Sequence, residues 1–138
     1  MARQASVLIS DDFYVSLVGK FVVQGVYTSD IIIPTDQIVA AQLVFLFQIE
    51  TDVSDLFEKL QVQVTLPGQT PKTADIPIMP FVPGVGRTRW LVHWPLLVQQ
   101  AVLRPGRIET KVIHEKGEIL TTSPWISLAT QAPPSQPS

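Results

Sequence analysis

The sequence is built from short runs of valine, isoleucine, leucine and phenylalanine, and glycine, proline, aspartate or serine closes each run. In several runs apolar and polar residues alternate. Residues 61–66, for example, alternate glutamine or threonine with valine or leucine. Side chains on a β-strand point to opposite faces in turn, so such a run would have one apolar and one wet face. Repeated along the chain, the pattern predicts an all-β protein.

The size and composition favour one two-layer domain. A chain of 138 residues is typical of a single domain and long enough to bury a core without a metal or a disulfide. We place the β-sandwich domain at residues 1–129 and a disordered proline- and serine-rich tail at 130–138. Only 16% of the residues are charged, which suggests a surface partly covered by a partner. A net charge of −2 without a basic cluster argues against nucleic acid as that partner.

The absence of cysteine excludes a disulfide framework, a thiolate metal site and a cysteine nucleophile. The first apolar stretch, residues 7–9, is much shorter than the core of a signal peptide. No run approaches the roughly 18 apolar residues of a membrane span. We therefore expect a cytoplasmic protein that does not interact with a membrane.

The run at residues 38–49 is apolar on both faces, as in a central strand. We expect Ser10, Asp11 and Asp12 to end the first strand, and residues 12–17 to form either one helical turn or an irregular crossing. Gly25 within a strand indicates a bulge or a close backbone approach. The predicted strands span residues 5–10, 20–27, 31–33, 38–49, 60–66, 87–94, 107–113 and 118–128.

Between Pro67 and Gly86, prolines at positions 71, 77, 80 and 83 restrict the chain to an edge strand, extended coil or loop. We expect the crossover at 51–59 to include one helical turn that begins at Ser54. Residues 96–103 lose the alternation and are expected to form a short helix. Gly117 is placed to close a hairpin between the last two strands. The predicted core contains Phe45, Phe47, Val62, Val64, Trp90 and Trp94.

Residues 19–27, Gly-Lys-Phe-Val-Val-Gln-Gly-Val-Tyr, follow a strand ending at Ser10-Asp11 and precede Ile33-Pro34. Together with the closing hairpin from Arg104-Pro105-Gly106 to Trp125-Ile126, this arrangement resembles an uncharacterised bacterial family of immunoglobulin-like β-sandwiches. The resemblance covers most of residues 5–128. It implies that fold and carries no catalytic residue across. Members often have cysteine before the first aspartate, where this chain has Ser10.

Catalytic chemistry finds little support in the sequence. A Ser/His/Asp hydrolase needs a histidine beside a serine and an orienting acid, and the chain has only His93 and His114. No Gly-x-Ser-x-Gly motif occurs. Two separated histidines without a thiol make a zinc site a poor fit. We therefore expect a protein that is not an enzyme and uses no cofactor.

Calcium is a second possibility, because loops at one end of a sandwich can pool carboxylates around a cation. The alternative is that these aspartates simply form turns. The calcium candidates are Asp11, Asp12, Asp36, Asp52 and Asp55.

A candidate binding surface lies on the predicted strand at 87–94. Tryptophan and arginine together would suit a sugar or a nucleic acid. Alternation places Trp90 and Trp94 on the face opposite the arginines, however, which favours core tryptophans beside a solvated face. The candidate binding residues lie on the solvated face and are Arg87, Arg89, Leu91 and His93. Prolines at 77, 80 and 83 have the spacing of a polyproline ligand, but also suit a protected sheet edge.

We therefore predict a single immunoglobulin-like β-sandwich of seven to nine strands. Its expected role is a non-catalytic binding or assembly module that acts through a sheet face or edge. The partner would be another protein or a second copy, with Leu91 and Ile113 as exposed contact candidates. The main alternative is a sandwich that binds a carbohydrate or a calcium-dependent target, and a cryptic hydrolase comes third.

Overall fold

A computed structural model describes residues 3–17, 19–78 and 84–129 of the chain. In these ranges it contains eleven β-strands, and no helix in them is long and apolar enough to cross a membrane. The strands are β1 (Gln4–Val15), β2 (Phe21–Val26), β3 (Ile31–Ile33), β4 (Ile38–Asp52), β5 (Leu60–Thr65), β6 (Lys72–Asp75), β7 (Arg89–Leu103), β8 (Gly106–Arg107), β9 (Glu109–His114), β10 (Gly117–Thr121) and β11 (Trp125–Leu128).

The strands form three sheets that pack against each other as in a β-sandwich. The first sheet has the order β2-β1-β4-β7 and the second β10-β9-β5-β6. The third is smaller, with the order β3-β11-β8. Neighbouring strands are antiparallel except β3 and β11, which run parallel. The all-β prediction is therefore confirmed, and the strand count exceeds the predicted seven to nine because short strands occur in segments expected to be loops or parts of longer strands.

One hydrophobic core joins all three sheets. Phe45 and Phe47 of β4 are fully buried, as are Val62 and Val64 of β5, so these four core predictions are confirmed. Ile33 of β3 and Ile126 of β11 complete the core from the third sheet. β4 lies between β1 and β7, as predicted for the central strand. Phe45, Phe47 and Ile49 point to the core, and the alternating residues point away from it.

The prediction that both tryptophans are core residues is only partly correct. Trp90 and Trp94 are half-buried and pack at the margin of the core. Trp90 contacts the ring of Phe57, with 5.9 Å between ring centroids. Both residues lie on β7, which is an edge strand of the first sheet, so neighbouring side chains cover them from one side only.

The predicted break at residues 10–12 is wrong, because β1 continues to Val15. The strand changes partner at this point: Ser10 is paired with both Val44 of β4 and Val26 of β2. The aspartates find partners on neighbouring strands instead of forming a turn. Tyr27 Oη donates to Asp11 Oδ1 at 2.8 Å, and Gln42 Nε2 donates to Asp12 Oδ1 at 3.1 Å.

The helix predicted at residues 96–103 is also wrong. β7 extends to Leu103 and pairs with β4 over almost its whole length. The backbone steps at Gln100, which has a φ of 53° and leaves the ladder unpaired opposite Ala41. This step changes which positions face the core, so the sequence loses its alternation there. Leu96 and Val98 precede this step and Ala101 follows it, yet all three reach the core. Simple alternation along β4 would place Ala41 on the same face as Phe45. At this step, however, Ala41 is exposed.

The remaining local predictions have mixed outcomes. Residues 53–55 form a turn without the helical turn expected at Ser54. The proline-rich stretch at 67–86 contains β6, which is an edge strand of the second sheet, as the sequence allowed. Residues 79–83 and the predicted tail at 130–138 lie outside the described residues. The closing hairpin forms around Gly117, whose φ is 145°, but its second arm is interrupted after Thr121 and resumes in the third sheet.

Candidate interaction face

The first sheet has one face on the core and one directed away from it. Residues directly opposite each other on neighbouring strands lie on the same face. Because Phe45 and Phe47 reach the core, Val44, Leu46 and Gln48 of β4 mark the opposite side. We call this side of the first sheet the outer face. The register of β1, β2 and β7 against β4 determines which other residues lie on it.

Two consecutive rows across the outer face are apolar apart from one small serine. We call them the apolar band, and they consist of Val26, Ser10, Val44 and Leu97 in one row and Leu8, Leu46 and Pro95 in the next. Leu8 and Val26 are each 38% exposed and Leu97 is 40% exposed. Val44 and Ser10, in the same row, are fully buried although they lie on the side of β4 and β1 away from the core. Apolar residues therefore line the middle of a face that no other sheet of the described chain covers.

Polar rows border the apolar band on both sides. One contains Gln24, Asp12, Gln42 and Gln99, and the other contains Ser6, Gln48 and His93. The hydrogen bond from Gln42 Nε2 to Asp12 Oδ1 links β4 to β1 within the first of these rows. An apolar centre with a polar rim is the usual anatomy of a protein interface.

Three of the four predicted binding residues lie on the outer face. Arg89, Leu91 and His93 are opposite Asp52, Glu50 and Gln48, respectively. Leu91 is 43% exposed and His93 is half-buried. Arg87 is exposed and precedes β7, and its Nε donates to the carbonyl oxygen of Arg89 at 3.0 Å.

Arg89 makes two ion pairs at the margin of the outer face. It lies 2.7 Å from Asp52 Oδ1 and 3.5 Å from Glu50 Oε2. The hydrogen bond with Asp52 is the main cause that raises the pKa of Arg89 above its usual value. This guanidinium is therefore held by its own chain, and the margin carries both signs of charge side by side.

The structure does not bring the five calcium candidates together. Asp11 and Asp12 lie in β1 rather than in a loop, and Asp36 follows β3. Asp52 ends β4 and pairs with Arg89, and Asp55 accepts from Arg3 and Lys116. Over residues 3–17, 19–78 and 84–129, no three histidine, aspartate or glutamate side chains form a group suited to a metal.

A second charged cluster, which no pattern in the sequence indicates, holds the start of β1 against the β9–β10 turn. The side chain of Arg3 is only 6% exposed, and its Nη2 lies 2.7 Å from Glu115 Oε2 and 3.2 Å from Asp55 Oδ1. It also stacks 4.4 Å above the ring of Phe57. The hydrogen bond from Arg3 is the main cause that lowers the pKa of Glu115 to about 2.

His114 belongs to the same cluster. Arg3 Nη1 lies 2.8 Å from its Nδ1, and its ring contacts Phe57 edge-on at 5.6 Å. Burial, followed by the positive charge of Arg3, lowers the pKa of His114. Because Arg3 is more than 50 positions from each of its partners in the sequence, no local motif would have revealed this cluster. The contacts of Arg3 with Asp55, His114 and Glu115 fix the start of β1 against the β9–β10 turn, and we call this cluster the clamp around Arg3.

We compared the chain with known proteins at three levels. No family model matches it, no curated protein matches it, and no solved structure matches it. The functional interpretation therefore depends on the geometry of this chain.

Proposed function

We propose that the protein is a non-catalytic assembly module whose outer face binds a second copy of the chain. The observation that supports the proposal is the apolar band, which is partly exposed and bordered by polar rows. Burial of apolar surface is the main favourable term in protein association, and exposed apolar patches commonly mark binding sites. The proposal keeps the role predicted from the sequence, binding through a sheet face, and assigns it to the apolar band of the outer face.

The size of the outer face argues for a modest affinity. Strands lie about 4.8 Å apart and rise about 3.3 Å per residue, so the three strands β1, β4 and β7 over residues 42–50 of β4 cover roughly 14 Å by 26 Å, and β2 adds a small corner beside Ser10. Two such faces would bury about 800 Å² in total, which is below the roughly 1,000 Å² of a stable interface and in the range of a weak, transient one. We therefore expect a dimer that forms reversibly and depends on concentration.

The charges at the margin suit a second copy. A two-fold axis brings the same surface of both protomers together, so a face with one sign of charge would repel itself. Here Arg89 lies beside Glu50 and Asp52, so each margin presents both signs. Two sheets packed face to face in this way lie about 10 Å apart, with their apolar side chains interdigitated.

We also infer that the sandwich is of the immunoglobulin-like type. The pattern of residues 19–27 and the closing hairpin support this inference, because both resemble the immunoglobulin-like family. The packing of the sheets around one core is compatible with it. An experimentally determined strand order that differs from that of immunoglobulin-like domains would contradict it.

Sedimentation velocity between about 1 and 100 μM tests the assembly, since weak interfaces are populated in this range. The wild-type protein should shift from monomer to dimer with concentration. Leu97→Lys and Leu8→Lys should both remain monomeric, because each places a charge in the apolar band. Leu120→Lys is the matched control: Leu120 is 76% exposed but lies on β10, outside the outer face. A wild-type protein that stays monomeric at about 100 μM would contradict the proposal.

A further inference from the structure

A groove of about 560 Å³ opens where the closing hairpin passes from the second sheet to the third. One arm passes from β8 to β9 through Ile108, and the other leaves β10 at Thr121 and enters β11 at Trp125. β9 pairs with β10 and β8 pairs with β11, but residues 122–124 interrupt the second arm. The two sheets diverge at this interruption and leave the groove between them. Its volume lies within the range of about 300–1,000 Å³ of small-ligand sites.

Trp125 lines this groove, and the residue is 54% exposed. The backbone N–H of Trp125 donates to Asp30 Oδ1 at 3.0 Å, and Trp125 is paired with Arg107 across the strands. The backbone that carries the indole is therefore fixed from two sides. A large, half-exposed aromatic ring on a fixed backbone is suited to stacking against a ligand.

The rest of the groove is lined mainly by hydroxyl, amide and charged side chains. Thr110 is buried in the wall, where its hydroxyl bonds with those of Thr121 and Ser123. Thr122 and Gln63 add a further hydroxyl and an amide. These groups both donate and accept hydrogen bonds, so they suit a ligand that also does both.

The charges along the groove are balanced. Lys111 is paired with Glu118 at 3.1 Å, and the exposed side chains of Arg107 and Glu109 contribute opposite charges. An anionic ligand would gain from Arg107 but would be repelled by Glu109. A neutral ligand that carries many hydroxyl groups can accept from the guanidinium and donate to the carboxylate.

We infer that this groove binds a neutral saccharide, with one sugar ring stacked on Trp125 and its hydroxyls bonded to Arg107 and Glu109. The site lies between the second and third sheets and is distinct from the outer face of the first sheet. It thus adds a ligand-binding activity to the proposed assembly.

Isothermal titration and saturation-transfer NMR would test this inference with soluble oligosaccharides of glucose, xylose, mannose and N-acetylglucosamine. At least one should bind the wild-type protein in the micromolar to millimolar range. Trp125→Ala should raise its Kd about tenfold or more, the change expected from losing about 1.4 kcal/mol of stacking. Trp125→Phe should restore part of the affinity. Tyr14→Ala removes an aromatic residue that is 49% exposed on β1, outside the groove and the apolar band, and as the control it should leave the Kd unchanged.

Circular dichroism should confirm that each variant keeps the β-sheet spectrum of the wild type. No binding of any oligosaccharide at about 10 mM would overturn the inference. Binding that Trp125→Ala leaves unchanged would also overturn it, because the sugar would then occupy another site. A preference for sulfated or uronic-acid oligosaccharides that disappears in Arg107→Ala would replace it with an anion site.

Discussion

Gly25 leaves the space that the carboxylate of Asp11 occupies. A Cβ added at Gly25 would overlap Asp11 Oδ2, and the backbone at Gly25 has a φ of 69°. The same carboxylate accepts a hydrogen bond from Tyr27 Oη. Burial, followed by this bond to Asp11, raises the pKa of Tyr27 to about 12. One glycine thus allows β1 and β2 to stay paired where the sequence suggested a turn.

Gly25→Ala should destabilise the protein by about 2–4 kcal/mol, because the left-handed backbone and the contact with Asp11 both oppose a methyl group. Gly19→Ala is the matched control: its φ is 79°, but nothing lies within 4 Å of the added Cβ. It should cost only about 1 kcal/mol. Urea unfolding would measure both values, and equal losses would contradict the role assigned to Asp11.

Phe47→Ala should destabilise the protein by about 3–5 kcal/mol, the usual cost of removing a fully buried aromatic side chain. Trp90→Ala should cost less, although tryptophan is the larger side chain, because Trp90 is half-buried on an edge strand. Thermal and chemical unfolding of the two variants would show the order. A larger loss for Trp90 would mean that this end of β7 belongs to the centre of the core.

Acid should weaken the clamp around Arg3. The pKa of Glu115 falls from 4.5 to about 2 in the folded protein, so the stability it contributes is fully present above pH 4.5 and is lost as the pH falls towards 2. Glu115→Gln should lower stability at neutral pH and flatten its dependence over this interval. Unfolding midpoints of both proteins across the interval would test this expectation, and parallel curves would contradict it. The stability that the lowered pKa of His114 contributes is also lost on acidification, but this loss begins at a higher pH than that of Glu115. The charge of Glu115 opposes the lowering of the pKa of His114, so Glu115→Gln should enlarge the loss from His114.

Gln100→Gly should leave stability unchanged or raise it slightly. Gln100 has a φ of 53°, a conformation that costs a side-chain-bearing residue about 1–2 kcal/mol and glycine almost nothing. The flexibility of glycine in the unfolded chain offsets part of this gain. Gln99→Gly, one position earlier in the same strand, should instead destabilise by about 0.5–1 kcal/mol. Equal losses in urea unfolding would show that the backbone at Gln100 is not strained.

The candidate outer face was partly visible in the sequence. The apolar residues Val44 and Leu46 mark β4 as apolar on both faces, and alternation separates Arg89, Leu91 and His93 from the two tryptophans. Leu8, Val26 and Leu97 could not be added from the sequence, because their place on the outer face depends on the register of three other strands. The groove at Trp125 was missed for the same reason, since it forms where two sheets separate.

Alternation along one strand is a local property, so the sequence by itself determined the all-β class, the half-buried strand β5 and the turn at Gly117. The tertiary structure decided the continuation of β1 through Asp11 and the strand conformation of residues 96–103. In both cases hydrogen bonds with strands distant in sequence outweigh the local preference for a turn or a helix. It also decided the contacts of Arg3, whose partners meet only when the N-terminal strand reaches the β9–β10 turn.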